Sequence, residues 1–477
     1  MSAAPRRECA PKGERQEVRE SPLVETRCCH VLVVGGGPAG ASLARWLGQR
    51  GRHVVLVDAG TPPRGLPAET ILPEATFLLH RLGLESVLLE AGFRGLPRHG
   101  VVWGAEYPEW RDPGPLGPGF KVERGRFDRI LLDLAARAGA EIIVGRAMIS
   151  GHDGRSPVRI QSADGPDIEI DAGVIVIANG RSQAPHECSG PETIVFHQVV
   201  NGNLGPKDAT FIEAVSVGWW WWMPLRSGAA CLALFADAAE VRSRGRQAVL
   251  EDAGKESSNV IRDFSLCAPR ATAFRARCVC SRQDRFIRIG DAASVIDPLS
   301  SQGIEKALAS AEEAGYVVNT ILERPGEAPV LMEHQRRWEE RLHALHMRRT
   351  ASVYGRVLRF RGHPFYQGRA GDREDPPYQS LPARLRPAPD LQPCRTYERR
   401  GFMLESRSAW RCGEDGDPLH LIGAAPVAAI LEAVGEEADR EQILSRAARD
   451  HRLFLLSPEH VTKSLLALLN AGWLHAC

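Results

Sequence analysis

The stretch that decides the fold is His30–Asp58, HVLVVGGGPAGASLARWLGQRGRHVVLVD. Apolar runs before Gly35 and up to Asp58 predict two β-strands, and the apolar residues between them recur at helical spacing. The glycines follow the pattern G-x-G-x-x-G. In a βαβ unit of this kind, Gly35 permits a tight turn, Gly37 lets the backbone approach a pyrophosphate, and Gly40 lets the helix lie close to the strand.

This unit predicts dinucleotide binding. The pyrophosphate meets the free N–H groups and the positive dipole end of the helix. Asp58 follows the last glycine at about the 20-residue distance at which an acidic side chain reaches a ribose hydroxyl. The alternative is a glycine-rich turn in some other α/β protein.

Composition limits the function classes. The chain has 477 residues, enough for two or three domains, and its 60 Lys and Arg balance 59 Asp and Glu. We therefore expect no nucleic-acid partner and no membrane partner. The 11 cysteines show no metal-site spacing, so no metal and reduced thiols are expected. Residues 1–27 are polar, without a signal-peptide apolar core, which predicts a disordered N-terminus and a soluble, cytoplasmic protein.

A second motif follows the strand predicted at residues 286–289. Gly290-Asp291-Ala292-Ala293 ends this strand, and the segment Asp297–Ile304 opens a helix that continues to about Thr320. An aspartate at a strand end can hold sugar-like hydroxyls, and a helix N-terminus can stabilise negative charge on a ring.

Together with Arg124-x-x-Phe127-Asp128, these motifs resemble the FAD-containing monooxygenases of the para-hydroxybenzoate hydroxylase type over about residues 31–320. The resemblance implies a site whose residues each have one role. Asp58 would bind the adenosine ribose, Arg124 lie along the FAD, Asp291 bind the ribityl chain, Pro298 lie over the active site, and Gly303 and Ile304 lie near the pyrimidine end of the flavin.

The resemblance has one departure. That family usually has Asp-Gly where this chain has Asn179-Gly180, which puts direct use of NAD(P)H in doubt. The electron donor is therefore expected to be NAD(P)H or a separate flavin reductase, with O₂ as the second substrate.

A tryptophan-rich segment adds a second resemblance. Gly218-Trp219-Trp220-Trp221-Trp222-Met223-Pro224 and the D-P-L-x-S-x-G segment at Asp297–Gly303 resemble signatures of flavin-dependent halogenases. On a strand, Trp219 and Trp221 face one way and the other two tryptophans face the opposite way. The alternative is a core strand with aromatic packing.

The groups that the resemblance requires for halogenation are missing. Residues 96–103 hold no lysine to carry hypohalite, and Ser300 stands where those enzymes have a glutamate. Oxygen insertion is therefore favoured. Candidate polar groups near the flavin are Glu69 and His99, with Arg98 as a charge partner, although Glu69 can instead orient a helix and His99 can be a structural histidine.

The C-terminal region predicts a separate module. Residues 361–395 are rich in Pro, Arg and Asp, which is typical of a linker. Strands at 401–404 and 418–422 precede three helices; Pro426 starts the first, and Asp439 with Gln442 caps the second. This pattern resembles winged helices and the PqqD-like elements that bind a leader peptide as an added strand. A DNA-binding winged helix is the rival.

The predicted fold class is α/β, a Rossmann-like FAD-binding domain of the glutathione-reductase type with an inserted antiparallel β-sheet substrate domain and a small winged-helix-like α+β module. After residues 1–27, the domains are predicted by residue range. They are the FAD-binding domain at 28–190 and, with a following helix, at 281–360, the substrate domain at 191–280, the linker at 361–395 and the module at 396–477.

These resemblances together predict an FAD-dependent monooxygenase that hydroxylates a peptidyl tryptophan through a C4a-hydroperoxyflavin. The chain resembles the flavoproteins that do this during tryptophylquinone cofactor biogenesis. The catalytic set is then Glu69, Arg98, His99, Trp219, Trp221 and Pro298. The alternatives are a halogenase of an aromatic or carrier-bound substrate and a flavoprotein regulator that binds DNA.

Overall fold

A computed structural model gives the architecture of the chain. No described helix is both long enough and apolar enough to cross a membrane. The described residues are 25–60, 66–105, 107–114, 116–149, 157–181, 187–201, 207–257, 269–279, 286–371, 378–414 and 416–477.

The first part of the chain contains the strand, helix and strand predicted around the glycine motif. Pro38 begins the helix, where its fixed φ suits the first turn. The elements are β1 (Glu25–Val34), α1 (Pro38–Gly48), β2 (Val54–Asp58), β3 (Ala68–Ile71), α2 (Thr76–Arg81), α3 (Glu85–Glu90), β4 (Arg98–Val102), β5 (Glu109–Arg111), β6 (Phe120–Glu123), α4 (Arg124–Arg137) and β7 (Glu141–Met148).

The middle of the chain is rich in β-strands. Its elements are β8 (Val158–Ser162), β9 (Ile168–Ile177), β10 (Glu187–Cys188), β11 (Thr193–Val200), β12 (Ala209–Val215), β13 (Gly218–Pro224), β14 (Ala230–Asp237), α5 (Ala238–Arg244), α6 (Arg246–Glu256), β15 (Arg270–Phe274) and β16 (Arg277–Cys278). Two short strands and three helices follow: β17 (Ile287–Arg288), β18 (Ser294–Val295), α7 (Gly303–Glu323), α8 (Ala328–Tyr354) and α9 (Pro364–Gln367).

The first sheet is mostly parallel. Strands β7, β2, β1, β9 and β17 lie side by side in that order, and β8 pairs antiparallel with β7 and β9. Helices α1 and α7 pack on this sheet through one apolar core. The prediction of disorder at residues 1–27 is wrong for 25–27, since Glu25, Thr26 and Arg27 pair with β9. Residues 1–24 lie outside the described residues.

The second sheet has seven strands in the order β15, β11, β14, β13, β12, β4 and β5. Its pairs are antiparallel except that β4 and β12 run parallel. The sheet is therefore not confined to residues 191–280, because β4 and β5 come from residues 98–111. Helix α6 covers one face of the sheet, and the aromatic residues after α8 pack on the other.

The prediction of a linker at residues 361–395 is wrong at both ends. Phe365 and Tyr366 are buried in the core beside the second sheet, and the Tyr366 hydroxyl donates to the Val215 carbonyl at 3.0 Å. At the other end, residues 384–387 already form a strand of the C-terminal sheet. Buried apolar side chains such as Phe365, Tyr366 and Leu385 hold these two segments in place despite their Pro-rich composition. Residues 372–377 lie outside the described residues.

The C-terminal region has its own apolar core, in which three helices pack on short strands. Asp439 and Gln442 form the predicted capping box, and Ser457 caps the last helix. The elements are β19 (Arg384–Pro387), β20 (Leu391–Arg400), β21 (Met403–Cys412), β22 (Leu421–Ile422), β23 (Ala425–Pro426), α10 (Val427–Val434), β24 (Ala438–Asp439), α11 (Arg440–Arg449), α12 (Pro458–Asn470) and β25 (Leu474–Ala476).

The β20–β21 hairpin joins this region to the first sheet's core. Leu404 is buried with the residues of α1 and α7, and the Arg399 guanidinium bonds Glu312 at 2.9 Å and also Glu313 on α7. The C-terminal region therefore contacts the rest of the molecule directly and is not only tethered to it.

Candidate functional site

A cavity of about 1650 Å³ lies between the two sheets. This volume exceeds the roughly 300–1,000 Å³ that is typical of small-molecule pockets. The glycine motif and the end of β2 line one part of it, and strands β13, β14 and β15 line another. The carboxyl ends of parallel strands are where α/β sheets bind nucleotides.

The glycines occupy three different environments. Gly35 has φ +112°, and an added Cβ would lie 2.4 Å from the Ala178 carbonyl oxygen. A Cβ on Gly40 would lie 1.9 Å from the Gly35 oxygen, so Gly40 serves helix packing and does not line the cavity. A Cβ on Gly37 would meet nothing within 4 Å. This open backbone, at the start of α1, fits a pyrophosphate on the helix N-terminus.

Asp58 lies where the sequence placed it, at the end of β2 and in the cavity wall. Its Oδ1 accepts from the Gly36 N–H at 3.1 Å, and its Oδ2 accepts from the Gly60 N–H at 3.0 Å. These bonds fix the carboxylate beside the glycine turn, and its remaining lone pairs can accept ribose hydroxyls.

Arg124 lies at the centre of a buried charge cluster in the cavity wall. Its guanidinium bonds both oxygens of Asp128 at 3.0 Å and also bonds Glu69. Burial lowers the pKa of Arg124, but the two carboxylates outweigh this effect and raise it. Glu69 is on β3, and a Cβ on Gly303 would lie 3.8 Å from its Oε2, so Glu69 also faces the start of α7.

An aromatic wall faces the cavity from the second sheet. Trp219 and Trp221 on β13 line the cavity together with Phe235 on β14, and the rings of Trp219 and Phe235 stack 3.7 Å apart. Trp220 and Trp222 pack into the core on the opposite face, as predicted from strand alternation. The alternative interpretation, a core strand with aromatic packing, therefore holds for Trp220 and Trp222.

The second motif forms the opposite wall. Asp291 lines the cavity from the middle of the 3₁₀ turn Gly290–Ala292, and Pro298 begins a further 3₁₀ turn. Ser301 has φ +50°, the left-handed region. Gly303 and Ile304 then start the 21-residue helix α7, whose N-terminus faces the cavity. The positive end of this helix can stabilise an anion bound there.

Sequence reasoning missed two residues behind this wall, Tyr354 and Lys306. Asp297 Oδ1 accepts from the Leu299 N–H at 2.9 Å and from the Tyr354 hydroxyl at 3.0 Å, and burial raises the pKa of Asp297. Lys306 is buried beside Asp291. Tyr354 is distant in sequence and carries no motif, whereas Lys306 had a signal, since it is a charge among the small and apolar residues of α7.

The prediction that Arg98 and His99 lie near the reacting centre is wrong. Neither residue lines the cavity. Both are on β4, near the far edge of the second sheet, whereas β13 to β15 line the cavity. The Arg98 guanidinium pairs with Asp208 at 2.7 Å, and the His99 ring bonds the Thr210 hydroxyl. Burial lowers the pKa of His99, which favours the neutral ring.

Asn179 and Gly180 follow β9 into the cavity wall, where Arg181 comes next. Arg181 donates to the Ala273 carbonyl at 2.8 Å, and its guanidinium lies 4.4 Å from the centre of the Phe274 ring. Burial lowers the pKa of Arg181. This contact ties the end of β9 to β15 across the cavity.

Comparison with known proteins identifies the cofactor. The family model described as "FAD binding domain" matches residues 28–323. A flavin-dependent halogenase of Armillaria mellea is 24% identical over 335 residues, 60% of this chain and 66% of that protein. A menaquinone reductase of Mycobacterium tuberculosis is 26% identical over 316 residues, 61% of this chain and 76% of that protein.

Two solved structures match almost the whole chain. A peptidyl tryptophan dihydroxylase essential for tryptophylquinone cofactor biogenesis has a TM-score of 0.69 and 25% identity, covering 94% of this chain and 100% of that one. The flavin-dependent halogenase CmlS has a TM-score of 0.71 and 19% identity, covering 94% and 96%. These likenesses include the C-terminal region.

Proposed function

The chain belongs to the FAD binding domain family, with FAD as its cofactor and with relatives among flavin-dependent oxidation and halogenation enzymes; from this premise we propose that it is a monooxygenase that hydroxylates a tryptophan side chain of a peptide or protein. The observation that carries the proposal is the likeness to the peptidyl tryptophan dihydroxylase over both the catalytic and the C-terminal regions. We further propose a role in tryptophylquinone biogenesis.

The cavity supports oxygen insertion over halogenation. No lysine is among the described residues that line it, so no ammonium there can carry hypohalite. The Trp219 ring stacks on Phe235, and these aromatic groups offer a planar surface on which an indole can stack. Bound FAD, once reduced, supplies the activation of O₂ and the transfer of an electrophilic oxygen atom.

Side chains and backbone groups of this chain would bind the cofactor, orient the substrate and exclude water. The Gly37 backbone and the N-terminus of α1 would hold the pyrophosphate, Asp58 the adenosine ribose, and Asp291 the ribityl chain. Arg124 would lie along the cofactor, held rigid by Glu69 and Asp128. The N-terminus of α7 would stabilise negative charge on the ring, and the aromatic wall would orient the indole and exclude water.

The C-terminal module is the proposed site of peptide recruitment. It has its own core, so it can act as a binding element, and its hairpin docks on α7, which starts in the cavity wall. A peptide held as an added strand would gain affinity from backbone hydrogen bonds. The electron donor is NAD(P)H or a separate flavin reductase, and the Asn179-Gly180 departure favours the reductase.

The test is intact mass of the products. The full-length protein is incubated with FAD, a flavin reductase, NADH, O₂, bromide and a library of tryptophan-containing peptides. The expected result is a gain of one or two oxygen atoms on a peptide, absent from the same peptide with phenylalanine in place of tryptophan. No oxygen gain on any peptide would contradict the proposal.

Halogenation is the second candidate, favoured by the G-W-x-W segment of β13 and by the halogenase relative. In the same experiment, a bromine isotope pattern on the product would establish this candidate and would overturn the argument from the missing lysine.

A further inference from the structure

A buried lysine lies directly behind the cavity wall. The side chain of Lys306 on α7 has no exposed area. Its Nζ donates to the Gly290 carbonyl at 2.8 Å and to the Ser294 carbonyl, and it lies 4.0 Å from Asp291 Oδ1. Burying an unpaired ammonium costs a large amount of folding free energy, so a buried lysine must have partners that compensate its charge.

A buried carboxylate approaches the same turn from the opposite helix. Glu339 on α8 is 3% exposed. The Ser310 hydroxyl accepts from the Gly290 N–H at 2.9 Å and therefore donates its own proton to Glu339. The Ser294 hydroxyl and the Gln335 amide, both at 3.4 Å, also donate to Glu339. Lys306 on α7 and Glu339 on α8 thus hold residues 290–294 from two sides.

The neighbouring titratable groups of α8 add no charge. Burial, assisted by the Lys306 charge, lowers the pKa of His343 and of His346 to about 4, so both imidazoles are neutral at neutral pH. His343 bonds the Ser189 hydroxyl at 2.8 Å and His346 bonds Gln302 at 2.9 Å. Lys306 and Glu339 are therefore the charged groups that α7 and α8 place on the turn at residues 290–294, and Arg181 also acts on Asp291 from the cavity side.

The position of this pair gives it influence on the cofactor. Asp291 and the α7 residues Gly303, Ile304 and Ala307 line the cavity, and Lys306 lies behind them on α7. Salt and water screen charges inside a protein far less than surface charges. An ammonium here favours added negative charge in the cavity, and a carboxylate beside it offsets that effect.

We propose that Lys306 and Glu339 are positioning residues that set the reduction potential of the bound FAD, Lys306 raising it and Glu339 lowering it. The proposal concerns the cofactor alone and does not depend on which substrate is oxidised. Failure of the peptide-mass experiment therefore leaves it intact, and its own failure leaves the proposed function intact.

The test is the midpoint potential of the bound FAD at alkaline pH, chosen because burial raises the pKa of Glu339 and a higher pH favours its ionised form. We expect K306M to shift the potential to more negative values by about 30 mV, a tenfold change in the two-electron equilibrium. E339Q keeps the shape of the side chain and is expected to shift it by a similar amount to more positive values. The K306M/E339Q double variant should return near the wild-type value.

The matched control is Glu313. This residue is also a buried carboxylate, but it is on α7 and pairs with Arg399 and His334. It lies seven residues beyond Lys306, about 10 Å along the helix. E313Q should lower thermal stability without moving the potential.

A purely structural role predicts a different result. Both variants would then weaken FAD binding, measured by quenching of flavin fluorescence. The potential would be unchanged in both variants, or it would shift in the same direction in both. Unchanged potentials or shifts in the same direction would overturn the proposal. If K306M does not fold, E339Q decides alone: a positive shift supports the proposal, and no shift or a negative shift overturns it.

Discussion

The two ends of the cavity are built in different ways. At one end the backbone forms the wall, with Gly35 and Gly37 before the N-terminus of α1 and with Asp58 bonded to backbone N–H groups. At the other end side chains form the wall, with Trp219 stacked on Phe235. A backbone-built wall is specified by a few consecutive residues, whereas a side-chain-built wall depends on the packing of distant strands.

The largest effect is expected at the backbone end. Gly35→Ala should abolish FAD binding and lower the free energy of unfolding by about 3 kcal/mol or more, because its φ is +112° and the new Cβ would clash with Ala178. Gly37→Ala is the matched control. Its Cβ meets no protein atom within 4 Å, so it should fold normally but bind FAD more weakly. Fluorescence titration and chemical denaturation measure both quantities, and equal stability losses would refute the distinction.

The next effect separates the two faces of β13. Trp219→Leu should lower kcat/KM about two- to tenfold, because a stacking surface worth about 0.5–1.5 kcal/mol is lost. Trp220→Leu should instead lower the free energy of unfolding by about 2 kcal/mol or more, since Trp220 packs in the core and donates to the Ala253 carbonyl. Steady-state kinetics and denaturation test this pair, and a catalytic loss confined to Trp220→Leu would contradict it.

A smaller effect is expected behind the side-chain wall. Tyr354→Phe removes the hydrogen bond to the partly buried Asp297 and should cost about 1–3 kcal/mol of stability. The pKa of Asp297, already raised by burial, should rise further because a donor to its charged form is lost. The measurements are thermal denaturation and the visible spectrum of the bound FAD. An unchanged melting temperature would show that this bond does not stabilise the Pro298 turn.

The smallest effect is expected at Arg98. Its ion pair with Asp208 is about half exposed, so Arg98→Ala should change stability by less than about 1 kcal/mol and leave kcat/KM unchanged. A tenfold loss of kcat/KM would restore a role for Arg98 near the reacting centre. Peptide hydroxylation rates measured beside those of Trp219→Leu provide the comparison.

Local motifs were the reliable part of sequence-based prediction. The strand, helix and strand around Gly35–Gly40 and the capping box at Asp439 are confirmed, because neighbouring residues satisfy each other's backbone requirements. The predictions that failed were nonlocal. Residues 361–371 pack through Phe365 and Tyr366, and β4 joins the second sheet beside β12, which moves Arg98 and His99 away from the cavity.

The sequence by itself determined that this protein binds a dinucleotide, since glycines and an aspartate at fixed spacing act through the backbone next to them. It also determined which tryptophans share a face, because strand alternation is a local property. Only the tertiary structure decided that Tyr354 bonds Asp297 and that Glu339 and Lys306 hold one turn. Those partners come from helices far apart in the chain, and their meeting depends on how the helices pack, which no short-range pattern encodes.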